Sequence, residues 1–397
     1  MKPEYELLAP AGNFPMLVAA VNAGADAVYF GLQEYGMRAN ARNFTIEDLD
    51  KITQVCSKGL NGKKIKRYLT LNTIIYDEEL KNVERIIRRA KGKVDAVICW
   101  DLAVIELCRK YKIPFFISTQ ASVSNSESAK FYKKLGAKRI VLARELNLKQ
   151  IGEISKIIEV ECFCHGAMCV AISGRCFTSQ FLFNRSANRG KCMHPCRRSY
   201  IVKDKQEGYE LKLENNKIMS AKDVCTLQFI EEMKKAGIKG FKIEGRGRDP
   251  RYVDAVVRIY RKALDKKLTE DEIEQGIKEL EKVYNKGFSD GFYLGLPTPD
   301  DFAIAEHSLA TEKKHFVGRV NHYNKKTKNA VIGLVSELKK GDEIVVIGDE
   351  TGLAKSKIKS IKLNNKIIRS AEKKQEVIIK LPSAKISDEV YVIKRKN

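Results

Sequence analysis

What most narrows the folds open to this chain is a regular beat of short apolar runs and helical stretches over its first 165 residues. Apolar runs fall at 6–9, 27–31, 68–73, 96–100, 114–118, 139–143 and 159–163. Short apolar runs of this kind are how strands of a parallel sheet read when helices cover them. Helical patterns at 45–58, 78–90 and 126–135 lie between them, and an eighth run at 240–244, followed by a helical pattern at 252–264, comes after a long interruption. Eight strand–helix units predict a TIM-type parallel α/β barrel. An open doubly wound sheet is the alternative, but no G-x-G-x-x-G follows the first strand.

The interruption, 165–219, follows the seventh strand, on the face where a barrel builds its active site. A connection this long inside a compact domain is ordinarily functional. Of the ten cysteines, the seven at 162, 164, 169, 176, 192, 196 and 225 cluster in and around it. The opening MKPEYELLAPAG shows no apolar run behind a basic cap, and no stretch of 18 apolar residues occurs. The expectation is a cytoplasmic protein with no membrane partner. In that setting clustered thiols point to metal or redox chemistry more than to disulfides. Cys56, Cys99 and Cys108 sit within apolar patterns and read as inert core thiols. Six residues separate Cys169 from Cys176. Structural zinc pairs are usually two to four apart, so the wider gap favours a [4Fe–4S] cluster on four thiolates, with zinc as the alternative.

After about residue 299 the character changes. An α/β-barrel domain over 1–300, with the cysteine-rich insertion at 165–219, gives way to a second domain over 311–397. Short alternating runs at 316–320, 330–335, 343–347, 358–363, 376–381 and 389–393 predict a small C-terminal antiparallel β-barrel. It carries 21 Lys+Arg against 10 Asp+Glu, nearly half the chain's net charge of +23. Such an excess fits a polyanion, RNA above all; a solvated Lys- and Glu-rich surface is the competing reading. Arg185, Arg189, Lys191, Arg197 and Arg198 lie beside the thiols and would form a positive rim over the barrel mouth.

Several segments carry a resemblance. They are ELLAPAG at 6–12, STQ at 118–120, AREL at 143–146, KIEGR at 242–246 and, most specific, E-x-F-x-x-G-A-M-C-x4-G-x-C from Glu161 to Cys176. The chain resembles the collagenase-like peptidases of unclassified catalytic type over nearly the whole barrel. It departs from their pattern at Thr178, normally aliphatic, a difference expected to touch no thiol. The better-understood members resemble hydroxylases that install 5-hydroxyuridine in tRNA or 5-hydroxycytidine in ribosomal RNA, or that hydroxylate the ubiquinone ring without oxygen. The resemblance implies a [4Fe–4S] cluster on Cys169, Cys176 and Cys192, with Cys225 favoured as the fourth ligand and Cys196 the alternative. For the RNA branch it also implies prephenate as a required metabolite.

Gln120, Arg144, His165, Glu244 and Arg246 fall at the expected carboxyl ends of barrel strands, where such enzymes place catalytic groups. Arg144 and Arg246 suit the two carboxylates of prephenate, or else form structural ion pairs with Glu145 and Glu244. His165 reads as an acid–base group or as a donor beside the cluster. The expected activity is hydroxylation of a pyrimidine in RNA, tRNA first, from a small-molecule hydroxyl donor. A peptidase and a zinc-stabilised RNA-binding protein are the alternatives. For a peptidase the chain lacks both H-E-x-x-H and G-x-S-x-G, and its five histidines leave few bases.

Overall fold

The computed structural model describes residues 4–38, 42–57, 59, 62–198, 202–208, 210–211, 220–303 and 308–396. Lys58 and Met219, the expected ends of the first helix and of the insertion, lie outside the described residues.

Seven strands come first: β1 (Glu6–Ala11), β2 (Ala27–Gly31), β3 (Lys66–Leu71), β4 (Ala96–Cys99), β5 (Phe115–Ile117), β6 (Arg139–Val141) and β7 (Val160–Ala167). The insertion contains a short hairpin, β8 (Val202–Lys203) with β9 (Glu210–Leu211), and then β10 (Asp223–Cys225) leads to β11 (Gly240–Ile243). From β1 to β7 each strand pairs in parallel with the next, and β11 pairs in parallel with both β7 and β1. The ring is a closed eight-stranded TIM-type barrel. β7 runs past its expected end because β10 lies antiparallel on it, with Val224 opposite Gly166 and Cys225 opposite His165. Gly166 has φ +106°, and a Cβ there would stand 2.5 Å from the Glu244 carbonyl oxygen and 2.8 Å from the Tyr252 hydroxyl. Only glycine lets β7 and the end of β11 come this close.

Strand alternation sorts the residues into two layers. One set (Leu7, Ala9, Val28, Leu69, Val97, Ile117, Ile140) packs outward against the helices. The other (Leu8, Ala27, Tyr29, Tyr68, Ile98, Phe116, Val141, Phe163) fills the barrel interior. Below this apolar layer the interior is charged: Arg139 Nη1 donates to Glu6 Oε1 at 2.6 Å and to Glu161 Oε2 at 3.0 Å, while Lys242 Nζ donates to Glu161 Oε1 at 2.9 Å.

A short β12 (Phe288–Ser289) joins β10, and the second unit follows: β13 (Glu312–Asn324), β14 (Asn329–Leu334), β15 (Leu338–Lys339), β16 (Glu343–Gly348), β17 (Gly352–Lys357), β18 (Ile361–Leu363), β19 (Lys366–Ile368), β20 (Ser370–Ala371), β21 (Glu376–Lys380) and β22 (Glu389–Arg395). Eight of these form one sheet in the order β17-β16-β22-β13-β14-β21-β18-β19, and β15 pairs with β20. Among the described residues no ladder joins β17 to β19, so the expected small antiparallel β-barrel has the form of a sheet with two unjoined edge strands. Even so, Ala354 of β17 and Ile361 of β18 share one core with Val320, Ile332, Val377 and Val390. The sheet therefore curls onto its own apolar face.

This unit docks on the barrel through β17. Lys355 Nζ lies 2.8 Å from Asp254 Oδ2, and Lys314 Nζ lies 3.0 Å from Asp249 Oδ2. The docking explains helix Phe14–Ala23, FPMLVAAVNA, which is buried on nearly every side: β1 and helix Pro250–Asp265 pack on it from the barrel and β17 from the second unit. Among the described residues no helix is long and apolar enough to cross a membrane.

Candidate active site at the barrel mouth

At the carboxyl ends of the strands a cavity of about 690 Å³ opens, lined by barrel residues below and by the cysteine-rich insertion above. Its barrel side is cationic. Glu244, just past β11, accepts from Arg38 Nε at 3.2 Å and Nη2 at 3.1 Å, and Arg144 Nη2 stands 3.9 Å from its other oxygen. Burial alone would raise the Glu244 carboxyl, but Arg38, Arg144 and Arg246 outweigh it and hold the group down at about 2. Glu244 is thus a fixed carboxylate at neutral pH, with no proton to give. Arg246 donates to Thr70 Oγ1 at 3.0 Å. It fits because residue 31 is glycine: a Cβ there would stand 2.2 Å from Arg246 Nη1. Burial lowers Arg246 to about 10, which leaves it charged at neutral pH.

Three guanidinium groups face one carboxylate, an excess of two positive charges. Arg144 donates to the Ala167 carbonyl at 2.8 Å and lies over the Phe163 ring, yet its Nε is buried with no hydrogen-bond partner. The same holds for Arg197 Nη1 on the insertion side of the cavity. Buried donors left open cost stability unless something accepts from them. A small dianion is the chemistry that would satisfy both the charge and the donors. Gln120 completes this wall: its Oε1 accepts from Asn72 Nδ2 at 3.1 Å and from the Ser118 hydroxyl.

On the insertion side, Cys169, Cys176, Cys192 and Cys196 all line the cavity. Cys169 is exposed and the other three are half-buried. Burial first, and then the neighbouring Cys169, push the Cys196 thiol up to about 11; burial also raises Cys192, against a hydrogen bond from the His194 backbone N–H at 3.4 Å. Thr178, expected to touch no thiol, has its hydroxyl 3.5 Å from Cys176 Sγ. Among the described residues no three His, Cys, Asp or Glu side chains are grouped so as to hold one metal ion.

Two expected site residues lie elsewhere. Cys225, favoured as the fourth cluster ligand, is buried in the core and does not line the cavity. Because β10 adds antiparallel to β7, its thiol faces helix Pro250–Asp265, where it accepts from the Tyr260 hydroxyl at 3.7 Å. His165, expected at the mouth, is 1% exposed and packed among the rings of Tyr252, Tyr260 and Phe288. Of the expected positive rim, Arg189 is bound to Glu79 and to the Ile74 carbonyl, and Arg197 to the Met168 carbonyl. Arg185, Lys191 and Arg198 are exposed. Arg38 and Lys242 were not foreseen as site residues. Arg38 follows β2, and so lies on the mouth face by the barrel rule alone.

The seclusion of His165 has a measurable consequence. Burial lowers it from 6.5 to about 3. Between those values the unfolded chain takes up a proton that the folded chain does not, so acidification from 6.5 towards 3 removes stability. The slope contributed is at most about 1.4 kcal/mol per pH unit. Denaturant titrations of wild type and His165→Gln across this range should show a flatter profile in the variant; parallel profiles would refute the assignment.

Fold and site together define a TIM-type barrel protein whose last long βα connection hangs four thiols over an arginine-lined mouth. The chain belongs to peptidase family U32, whose sequence profile matches residues 12–302. It is 42% identical to an uncharacterized protease of Methanocaldococcus jannaschii, over 98% of this chain and 98% of that protein. It is 39% identical to a collagenase of Porphyromonas gingivalis, over 98% and 97% respectively. It is 37% identical to tRNA hydroxylation protein P1 of Bacillus subtilis, over 87% and 84%.

Proposed function

We propose that this chain is an iron–sulfur enzyme that hydroxylates a pyrimidine base of RNA, with uridine in tRNA the foremost substrate. The observation that carries the reading is the meeting of four thiols and an uncompensated arginine cluster in one cavity at the barrel mouth. The thiolate donor set suits a [4Fe–4S] cluster. In a four-iron cube each thiolate binds a different iron, so the ligands need not converge on one point as they do round a single ion. Cys169, Cys176, Cys192 and Cys196 would hold the cluster, which would supply electron transfer or activation of the hydroxyl donor. Arg144 and Arg246 would bind the carboxylates of prephenate, and the open Arg144 Nε is a donor left for that purpose. A target base has to leave its stack to reach such a cavity. The relative named for tRNA hydroxylation supports the substrate class. The reading places the work on cytoplasmic RNA.

Two relatives carry protease names, and peptide hydrolysis is the second reading. Among the described residues no side-chain Ser–His or Cys–His hydrogen bond lies at the mouth: His165 is sealed in the core, and His194 is the histidine that lines the cavity. The deciding experiment is nucleoside mass spectrometry of tRNA from cells with the gene deleted and then restored. Loss and recovery of a 5-hydroxypyrimidine are expected. An unchanged nucleoside profile, together with collagen or gelatin cleavage that survives Cys169→Ala, would establish the peptidase instead.

A further inference from the structure

The insertion departs from the rest of the chain in its charge. From residue 162 to residue 203 there are seven Lys or Arg and no Asp or Glu, although Asp and Glu make up 50 of the 397 residues. Within this stretch the short helix Thr178–Phe183 and its N-cap residue Phe177 expose two aromatic rings. Phe181 is 84% exposed and Phe177 62%. Their centroids are 6.4 Å apart and their planes tilted by 52°, so the two rings adjoin at an angle. Phe177 lies between Cys176 and Thr178, which both line the cavity, and so stands beside the mouth, with Phe181 four residues further on. Exposed cations flank them: Arg175, Arg185 and Arg198, the last with its guanidinium 4.3 Å from the centre of the Phe183 ring. Among the described residues none of the three lies within ion-pair distance of a carboxylate.

Leaving two phenylalanine rings in water has a cost, and a fold gains nothing from it. A protein partner would normally be met by a surface of mixed charge, whereas this one is of a single sign. Aromatic faces next to unpaired cations are what an unpaired nucleic acid strand requires: bases stack on the rings, and phosphates meet the guanidinium groups. A duplex could use only the cations, because its bases are already stacked.

We propose that Phe177 and Phe181 form a stacking platform for unpaired nucleotides, set at the rim so that the nucleotide beside the stacked one enters the cavity. The proposal rests on the RNA reading above and adds the feature recognised, which is an unpaired loop rather than a helix.

The test is fluorescence anisotropy of the full-length, anaerobically purified protein with a labelled oligouridylate and with an RNA duplex of equal length. Wild type is expected to prefer the oligouridylate. Bases that stack on the rings lose that contact when the rings go, so Phe177→Ala/Phe181→Ala should weaken oligouridylate binding about tenfold or more and leave duplex binding unchanged. Phe177→Tyr/Phe181→Tyr should restore it. Arg185→Gln/Arg198→Gln should instead weaken both RNAs and lower the slope of affinity against salt. Both rings lie at the surface, so circular dichroism should find the alanine variant folded. If that variant binds oligouridylate as wild type does while wild type binds RNA, the platform is refuted and the RNA reading stands. If it loses modification in cells but no RNA affinity, the rings serve a protein partner and the platform is refuted. If wild type binds neither RNA, the RNA reading fails, and the platform with it.

Discussion

Cys196→Ala protein purified without oxygen is expected to be colourless and free of iron and sulfide, whereas Cys225→Ala protein should keep the broad visible absorbance of the wild type. The contrast follows from where the chain places the two thiols. Cys196 shares a cavity with Cys169, Cys176 and Cys192, near enough for their charges to shift one another. Cys225 is in the core beneath helix Pro250–Asp265, its sulfur engaged by Tyr260. A [4Fe–4S] cluster generally takes four thiolates, so loss of any one of the mouth set should be severe. Removing Cys225 deletes one buried sulfur and costs only packing. The reverse pattern, iron lost from Cys225→Ala and retained by Cys196→Ala, would sink this ligand set. Wild-type protein that holds zinc and no iron would sink the cluster itself.

What could be read in advance, and what could not, divides along physical lines. Most of each barrel strand announces itself locally, because a strand covered on both sides is largely apolar apart from the buried charges it pairs across the barrel. That is why the runs at 27–31 and 139–143 match β2 and the start of β6 so closely. The thiols of the insertion were also legible, since their number has no ordinary structural use. Their partition was not. Spacing along the chain cannot tell that β10 adds antiparallel to β7 and turns Cys225 away from the mouth. β17 escaped for a different reason. Its sequence, GLAKSK, reads as a polar loop because its buried positions, Gly352 and Ala354, are small, and Gly352 has no room for a side chain because a helix presses on it. A Cβ at Gly352 would stand 2.7 Å from Val18 Cγ1 and 2.8 Å from the Ala19 nitrogen. The arginine cluster was half legible: Arg144 and Arg246 flank recognisable motifs, while Arg38 meets Glu244 across 206 residues. The lower ion network was not legible at all, with partners 133, 22 and 81 residues apart on four strands.

That network supports the last and largest stability effect. Arg139→Met is expected to destabilise the fold by about 3–5 kcal/mol, because it strands buried carboxylates rather than removing a favourable surface contact. Arg139 is 4% exposed, and its guanidinium satisfies Glu6, Glu159 and the wholly buried Glu161. Burial would raise the Glu6 carboxyl, but Arg139 and then Lys66 reverse that and hold it below its ordinary value. Once Arg139 is gone, Glu161 keeps, among the described residues, only Lys242, itself lowered by burial, and Glu6 keeps Lys66 and the Tyr68 hydroxyl at 2.8 Å. The melting temperature should fall by roughly 5 °C at neutral pH. Adding Glu6→Gln to Arg139→Met should recover part of the loss, since one stranded charge becomes neutral. A drop of under about 1 kcal/mol, or a further fall in the double variant, would refute the network's role. The same experiment bears on the site above it. Lys242 bonds to Glu161 below and lines the cavity above, so a barrel that tolerates Arg139→Met should still lose order at the cavity floor, and weaker anion binding at the mouth would register that loss.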